Sequence, residues 1–381
     1  MKAIVNGRIL LKDRLLDGQA LIFDEKITGF FDAGNIPENC GIIDAEGGYV
    51  SPGLIDIHCH GCFGEDAADG SVDGIMKMSE GLLKTGVTAW LPTTITAPVA
   101  NIEKAFKTIR AVKDKGSHMN GSVVLGANME GPYLNKKRKG AHDETYLLPP
   151  DAAFIKANAD IIKIVTIAPE LDDDFKAVRA ARDAGVAVAI GHSDASYETA
   201  MAAIHNGARH VTHLFNAMSP LNHRDPGVVG AALDSGVTAE LIADTFHIHA
   251  DLFHLVHKIK GDRLVLITDS VRAGGLPDGE YDLGGLTIKL SGIECRLPDG
   301  TIAGSVLTMI NAVKNMARMS VYKTIPLYET VACASLYPAR VIGADKRKGS
   351  LETGKDADII IFNDDFIVKK TIIGGRVKYE A

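Results

Sequence analysis

From Pro52 to about residue 340, short apolar runs alternate with segments of helical length, and this alternation limits the fold more than any other feature of the chain. The runs are LIDIHCH (54–60), VTAWLPTTI (87–95), VVLGANMEG (123–131), IIKIVTIAPE (161–170), VAVAIGHSD (186–194), HVTHLFNAM (210–218), TAELIADTFH (238–247) and LVLITDS (264–270). Most are rich in β-branched residues and apolar at successive positions, as parallel strands buried on both faces are. Helical spacing fills the gaps, as in IEKAFKTIRAVKDK (102–115), DDDFKAVRAARDAG (172–185) and YETAMAAIHNG (197–207). Eight such units predict an α/β chain whose residues 52–344 form a (β/α)8 TIM-type barrel, with its chemistry where strands end and loops begin. A doubly wound sheet is the rival, and the lack of a glycine-rich phosphate loop after the first strands counts against it.

The ends of the chain differ. Residues 1–51 read as short strands, with Asn6-Gly7 as a hairpin dipeptide between KAIV and RIL, and DADIIIFNDDFIVKKTIIGGRVKYEA (356–381) returns to short strands. Residues 1–51 and 345–381 are therefore expected to pair as one small β-sandwich domain. A net charge of −7 argues against a nucleic-acid or anionic-membrane partner. Lys12 and Asp13 come too early for a signal-peptide core, and no apolar run approaches the roughly 18 residues needed to span a bilayer. Five cysteines form an odd set, and Cys59-x-x-Cys62 has no second pair for a four-cysteine zinc site. A reducing cytoplasm is the expected location. The basic run Lys136–Lys139 is read as a solvated loop, with attraction of an anionic substrate as the alternative.

Metal-type side chains recur where the strands end. His58 and His60, at i and i+2, share one face of the first strand beside Asp56, with Ile55 and Ile57 on the other. Glu130 ends the third strand, His192 the fifth, His213 the sixth and Asp269 the eighth. Burying these groups without partners costs several kcal/mol each. A divalent cation held by imidazole and carboxylate relieves that cost, and the donor set suits zinc or iron. His247 closes the seventh strand and is read as facing substrate, whereas His249 is structural. His205, His254 and His257 lie on helical segments and are read as surface groups.

These residues sit in a wider set of motifs: PGLIDIHCHG, MEGPYLN, KGAHD, GHSDA, THLFNAMSPLNHRDPG, ITDS and GSLETGKDADIIIF. Together they resemble the N-acetylglucosamine-6-phosphate deacetylases of the amidohydrolase superfamily, from residue 3 to about 375. H-x-H and G-x-x-D-A-D occur across the superfamily; MEGP and H-x-F-N-A-M followed by H-R-x-P-G are narrower. The resemblance implies a metal site of Glu130, His192 and His213, with His58 and His60 at a second position found in some members, so one or two cations per subunit. It implies Asp269 as the catalytic proton carrier, and His247 or His142 as a hydrogen-bond donor to the developing oxyanion. Substrate contacts fall on Ala141, His142, Asn216, Ala217, His247 and the stretch Ile302, Ala303 and Gly304. Arg224, with His223, is implied as the phosphate clamp, in some members reaching the neighbouring subunit's site within a homodimer. The implied partner is a small phosphorylated amino sugar. Thr245 stands where the family often has glycine, and SVRAGG replaces a more usual run after Asp269, so the identity of the sugar is the open point. N-acetylgalactosamine 6-phosphate, another amidohydrolase reaction and an inactive scaffold are the alternatives.

Overall fold

The computed structural model describes residues 1–32, 34–37, 39–318 and 324–381. Its centre is a ring of parallel strands: Leu54–Cys59, Val87–Thr94, Ala127–Glu130, Ile162–Ile167, Ala187–Ile190, Ala208–Val211, Thr238–Ile242 and Leu264–Ile267, each paired with the next. The ring closes where Cys59 bridges Ser270 and the His60 N–H donates to the Ser270 carbonyl at 2.9 Å. All eight strands of the (β/α)8 reading are present. The run 123–131 is split, however: Val123–Val124 and Ala127–Glu130 are separate pieces, interrupted at Gly126, whose φ of +154° takes the backbone out of the ladder.

Helices lie outside the ring where their apolar faces meet the strands. Val72–Leu82 starts at Ser71, whose hydroxyl accepts the Gly74 N–H, and Tyr197–Asn206 starts at Ser196, whose hydroxyl accepts the Thr199 N–H. The predicted helix at 172–185 begins only at Lys176, because Asp174 and Phe175 adopt positive φ. Asp172 caps it by accepting the N–H groups of Ala177 and Val178. Trp90 is fully buried in the shell between strands and helices, its indole N–H donating to Ser79 Oγ at 3.0 Å.

The terminal segments build two sheets beside the barrel. One orders Ile27–Asp32, Gln19–Phe23, Lys2–Val5 and Gly41–Asp44; the other joins the C-terminal strands Arg376–Glu380, Val368–Ile373 and Ile359–Phe362 to Tyr49–Pro52, Arg8–Leu10 and Leu15–Leu16. The hairpin expected at Asn6-Gly7 does not form. Lys2–Val5 and Arg8–Leu10 go to different sheets, and the turn carries the chain between them. The reason is packing: a side chain at Gly7 would lie 2.5 Å from Val50 Cγ2, so the turn is pressed against Tyr49–Pro52, the strand that pairs with the one it feeds.

Lys348 ties this region together from a buried position, its ammonium contacting both Asp356 and Asp358. Replacing it with methionine leaves the buried Asp358 carboxylate without its cation, so Lys348→Met is expected to lose about 3–5 kcal/mol of stability in denaturant unfolding. A loss under 1 kcal/mol refutes the anchoring role.

One element had no signal in the sequence reading. Gly279–Leu283, Leu286–Ser291 and Glu294–Arg296 form an antiparallel sheet inserted after the eighth barrel strand. Its apolar face, Leu283, Ile288, Leu290 and Cys295, packs on Ile95, Val271 and Ala303 beside the strand ends. Among the described residues no helix is long and apolar enough to cross a membrane.

Candidate active site

The strand ends converge on one carboxylate. Glu130, nearly fully buried, has five imidazole nitrogens within 3.4 Å: those of His58, His60, His142, His192 and His213. Its Oε1 faces His192 and His213 at 3.2 and 3.0 Å, while its Oε2 faces His60 at 3.0 Å and His58 at 3.4 Å. Asp269 completes the group, with Oδ1 at 3.4 Å from His58 and 3.3 Å from His60. Backbone conformation aims these groups. His192, His213 and Asp269 have φ of +47°, +27° and +50°, as do Phe215, Ala217 and Thr245 near them at +79°, +50° and +71°. Each such residue costs on the order of 1–3 kcal/mol, and such strain gathers at functional sites.

Electrostatics follow from the crowding. Burial pushes the Glu130 carboxyl up, but the charges of His58 and His192 and the hydrogen bonds of His142 and His192 hold it well below the usual carboxylate range. Burial likewise opposes protonation of His60, and Asp269 and Glu130 overcome it, raising that imidazole to about 9. His142 goes the other way: burial dominates and lowers it to about 4, so it is neutral. Asp56, buried behind His58 with the Thr268 hydroxyl at 2.6 Å, is pushed up by burial to about 6.

Hydrogen bonds to acceptor-only or donor-only partners assign the tautomers. His192 Nδ1 faces the Arg138 carbonyl at 2.8 Å, so Nδ1 carries hydrogen whether the ring is charged or neutral, and a neutral ring turns its Nε2 lone pair into the site. His142 is the reverse. The Thr96 backbone N–H, which can only donate, lies 3.3 Å from Nδ1, the Thr96 hydroxyl can donate to it at 2.8 Å, and Nε2 faces the Glu130 carboxylate at 3.4 Å, so the hydrogen of neutral His142 is on Nε2. His247 Nδ1 faces the Asp244 carboxylate at 2.6 Å, leaving Nε2 of a neutral ring as an acceptor.

The set fits a divalent cation. His58 Nε2 and His213 Nδ1 are buried without hydrogen-bond partners, and the Nε2 atoms of His192 and His213 confront each other at 3.1 Å. Ligand atoms of His58, His60 and Asp269 lie within 4.8 Å of one another, as do those of Glu130, His142 and His192. In the second group His142 is unsuited to be a ligand, because its Nε2 holds a hydrogen. His213, at 3.0 Å from Glu130 Oε1, is the better third member.

A cavity of about 510 Å³ opens above these groups. His60, Glu130, His142, His192, His213 and Asp269 form its floor; Ala141, Asn216, Ala217, His247, Ile302 and Gly304 line the walls. His58 lies beneath, fully buried. Ile302 and Gly304 are brought there because the Ser305 N–H donates to the Asp269 carbonyl and the Val271 N–H to that of Ser305. Ala303 is buried in the apolar cluster and does not reach the wall. His223 and Arg224 are exposed on the turn Asn222–Asp225, away from this wall. His249 is exposed, but His257 is mostly buried against Glu329 at 3.2 Å and is not a surface group.

Lys136–Lys139 border the cavity mouth. Solvent is therefore not their only neighbour, although Lys136 pairs with Glu144, and Lys137 and Arg138 with Asp194. The sequence reading missed three supporting residues: Thr96, Asp244 and Glu240. Asp244 had a local signal, standing three residues before His247. Glu240 had another, a lone carboxylate inside an apolar strand.

Residues 49–378 match the model of the amidohydrolase family. The chain is 39% identical to the N-acetylglucosamine-6-phosphate deacetylase of Haemophilus influenzae, with 99% of each covered. It is 35% identical to the N-acetylgalactosamine-6-phosphate deacetylase of Escherichia coli, with 97% of each covered. Among solved structures it resembles the N-acetylglucosamine-6-phosphate deacetylase of Pasteurella multocida, with a TM-score of 0.94, 35% identity and complete coverage of both chains. It also resembles a point mutant of the Mycobacterium smegmatis enzyme in complex with N-acetyl-D-glucosamine-6-phosphate, with a TM-score of 0.90, 29% identity and 99% of each chain covered.

Proposed function

The chain belongs to the amidohydrolase family, and from that premise we infer that it hydrolyses the acetamide of N-acetyl-D-glucosamine 6-phosphate to D-glucosamine 6-phosphate and acetate. One observation carries the reading: Glu130, His192 and His213 meet beside Asp269 on the floor of a cavity roomy enough for a small ligand.

In this reading Glu130, His192 and His213 hold a zinc or iron ion, and His58 with His60 provides for a second. A bound cation supplies Lewis acidity, making water a nucleophile near neutral pH and polarising the acetyl oxygen. The remaining work is done by side chains. Asp269 accepts a proton from water as its oxygen attacks the acetyl carbon, then delivers that proton to the nitrogen as the C–N bond breaks. Without it the amine leaves poorly. His142 donates its Nε2–H to the acetyl oxygen as negative charge develops there. His247 cannot share that role while neutral, because its free Nε2 only accepts. It takes a hydrogen bond from the substrate's amide N–H or a sugar hydroxyl.

Arg224 and His223, exposed and off their own cavity wall, serve the phosphate in the partner's site of a homodimer. Arg224→Ala is expected to weaken use of the phosphorylated sugar by about 10- to 100-fold in kcat/KM while barely changing that of free N-acetylglucosamine. Equal losses on both sugars refute the phosphate role. Mixing the weakened Arg224→Ala and the inactive Asp269→Asn proteins raises activity on the phosphorylated sugar above that of Arg224→Ala alone only if the arginine acts across the dimer. All five cysteines are free thiols, which supports a reducing cytoplasm as the compartment. The direct test is acetate release by the zinc-loaded protein from N-acetylglucosamine 6-phosphate, its galactosamine counterpart and the unphosphorylated sugars. Release from none of them refutes the function.

A further inference from the structure

Glu240 has no place in the chemistry above, yet it is a fully buried charged group beside it. It stands in the seventh barrel strand between Ala239 and Leu241, and all three residues are fully buried. Its carboxylate meets only donors. Oε2 accepts the His213 backbone N–H at 3.0 Å and lies 3.0 Å from His58 Nδ1; Oε1 lies 3.0 Å from His210 Nε2. An ionised carboxylate in an apolar strand is costly, and a leucine there fills similar space without that cost. The charge therefore needs a reason beyond filling the core.

His58 supplies one. A carboxylate can only accept, so Nδ1 of His58 keeps its hydrogen, and the ring's one free lone pair is confined to Nε2. That Nε2 is fully buried without a hydrogen-bond partner, although Glu130 Oε2 and Asp269 Oδ1 each lie 3.4 Å away. It is close to two carboxylates but aligned with neither, an arrangement that suits coordination of a cation better than hydrogen bonding. His60 contrasts with it: its Nδ1 has no partner at all, so nothing comparable fixes that ring.

We propose that Glu240 is a positioning residue that commits His58, through its Nδ1–H, to a second divalent cation held with His60 and Asp269. The proposal rests on the metal-hydrolase reading and concerns cation number and order of affinity. Glu130, His192 and His213 form the other site, which Glu240 touches only at the His213 backbone N–H, a bond that an amide oxygen in the same place still accepts. His58, His60 and Asp269 form the one that needs Glu240.

The test reads metal, not turnover. Metal-free protein is titrated with Zn²⁺ against a chromophoric chelator. The wild type is expected to show two classes of site. Glu240→Gln weakens one of them roughly 10- to 100-fold, the range seen when a partner behind a ligating histidine is removed. The other class stays within about 3-fold of wild type. His58→Ala abolishes the same class, and adding Glu240→Gln to it leaves the remaining class unchanged, since that class meets Glu240 only through a backbone N–H that the amide oxygen still accepts. A general packing role instead weakens both classes together and persists in the His58→Ala background. That result, one class of site in the wild type, or an unchanged Glu240→Gln overturns the proposal. If Glu240→Gln does not fold, Glu240→Asp shortens the reach to His58 and must reproduce the selective loss. Acetate release by the zinc-loaded wild type is scored separately, so a failed function reading and a failed Glu240 assignment are told apart.

Discussion

Asp269→Asn is expected to retain the cation held by Glu130, His192 and His213 and its fold while losing at least about 10³-fold in kcat, within the range that a positioned acid–base group contributes. The amide has nearly the same shape, and asparagine tolerates the left-handed backbone that φ of +50° imposes here. The Asp269 backbone N–H still donates to the His58 carbonyl at 2.9 Å. What disappears is the ability to take a proton from water and return it to the departing amine. Steady-state kinetics with metal content measured on the same sample checks this. A variant within tenfold of wild-type kcat removes Asp269 from the proton path.

Glu130→Gln is expected to empty the cation site it forms with His192 and His213, to bring activity below detection, and to destabilise the metal-free protein by about 3–5 kcal/mol at neutral pH. Five imidazole nitrogens crowd the wild-type carboxylate, and an amide presents hydrogens to one side of that ring. The pH dependence has a definite sign. Glu130 is depressed in the fold, so its contribution is present above the unfolded carboxylate pKa and fades as pH falls through the folded one. His60 is raised, so its share is complete below the unfolded imidazole pKa and fades as pH rises through about 9. The stability gap between metal-free wild type and variant is therefore widest from about pH 5 to about pH 6.5; it narrows at lower pH and shrinks progressively as pH rises toward about 9. A gap that does not vary with pH contradicts this account of the cluster. Urea unfolding in the presence of a chelator measures it.

The parts legible in the sequence are those that local rules control. Eight apolar runs gave eight barrel strands, because a strand buried on both faces needs little beyond its own residues to be recognised. The side chains at the strand ends could be placed for the same reason: period-two alternation put His58 and His60 on one face. Where the reading failed, a distant neighbour had decided. Asn6-Gly7 turns as its residues allow, but Val50 and Ala45 press on Gly7, and the flanking strands part to different sheets. The sheet from Gly279 to Arg296 lies outside the strand–helix rhythm that organised the reading.

The sequence alone determined which residue types stand at the barrel's chemical rim, since strand length and side-chain alternation are short-range properties. Tertiary structure alone decided what each imidazole does there. Thr96 makes His142 a donor, the Arg138 carbonyl turns the lone pair of His192 inward, and Glu240 does the same for His58. A neutral imidazole carries one hydrogen on either of two nitrogens, and the choice belongs to whatever group the fold sets against the other side of the ring. For His58 and Glu240 that group lies 182 residues away along the chain.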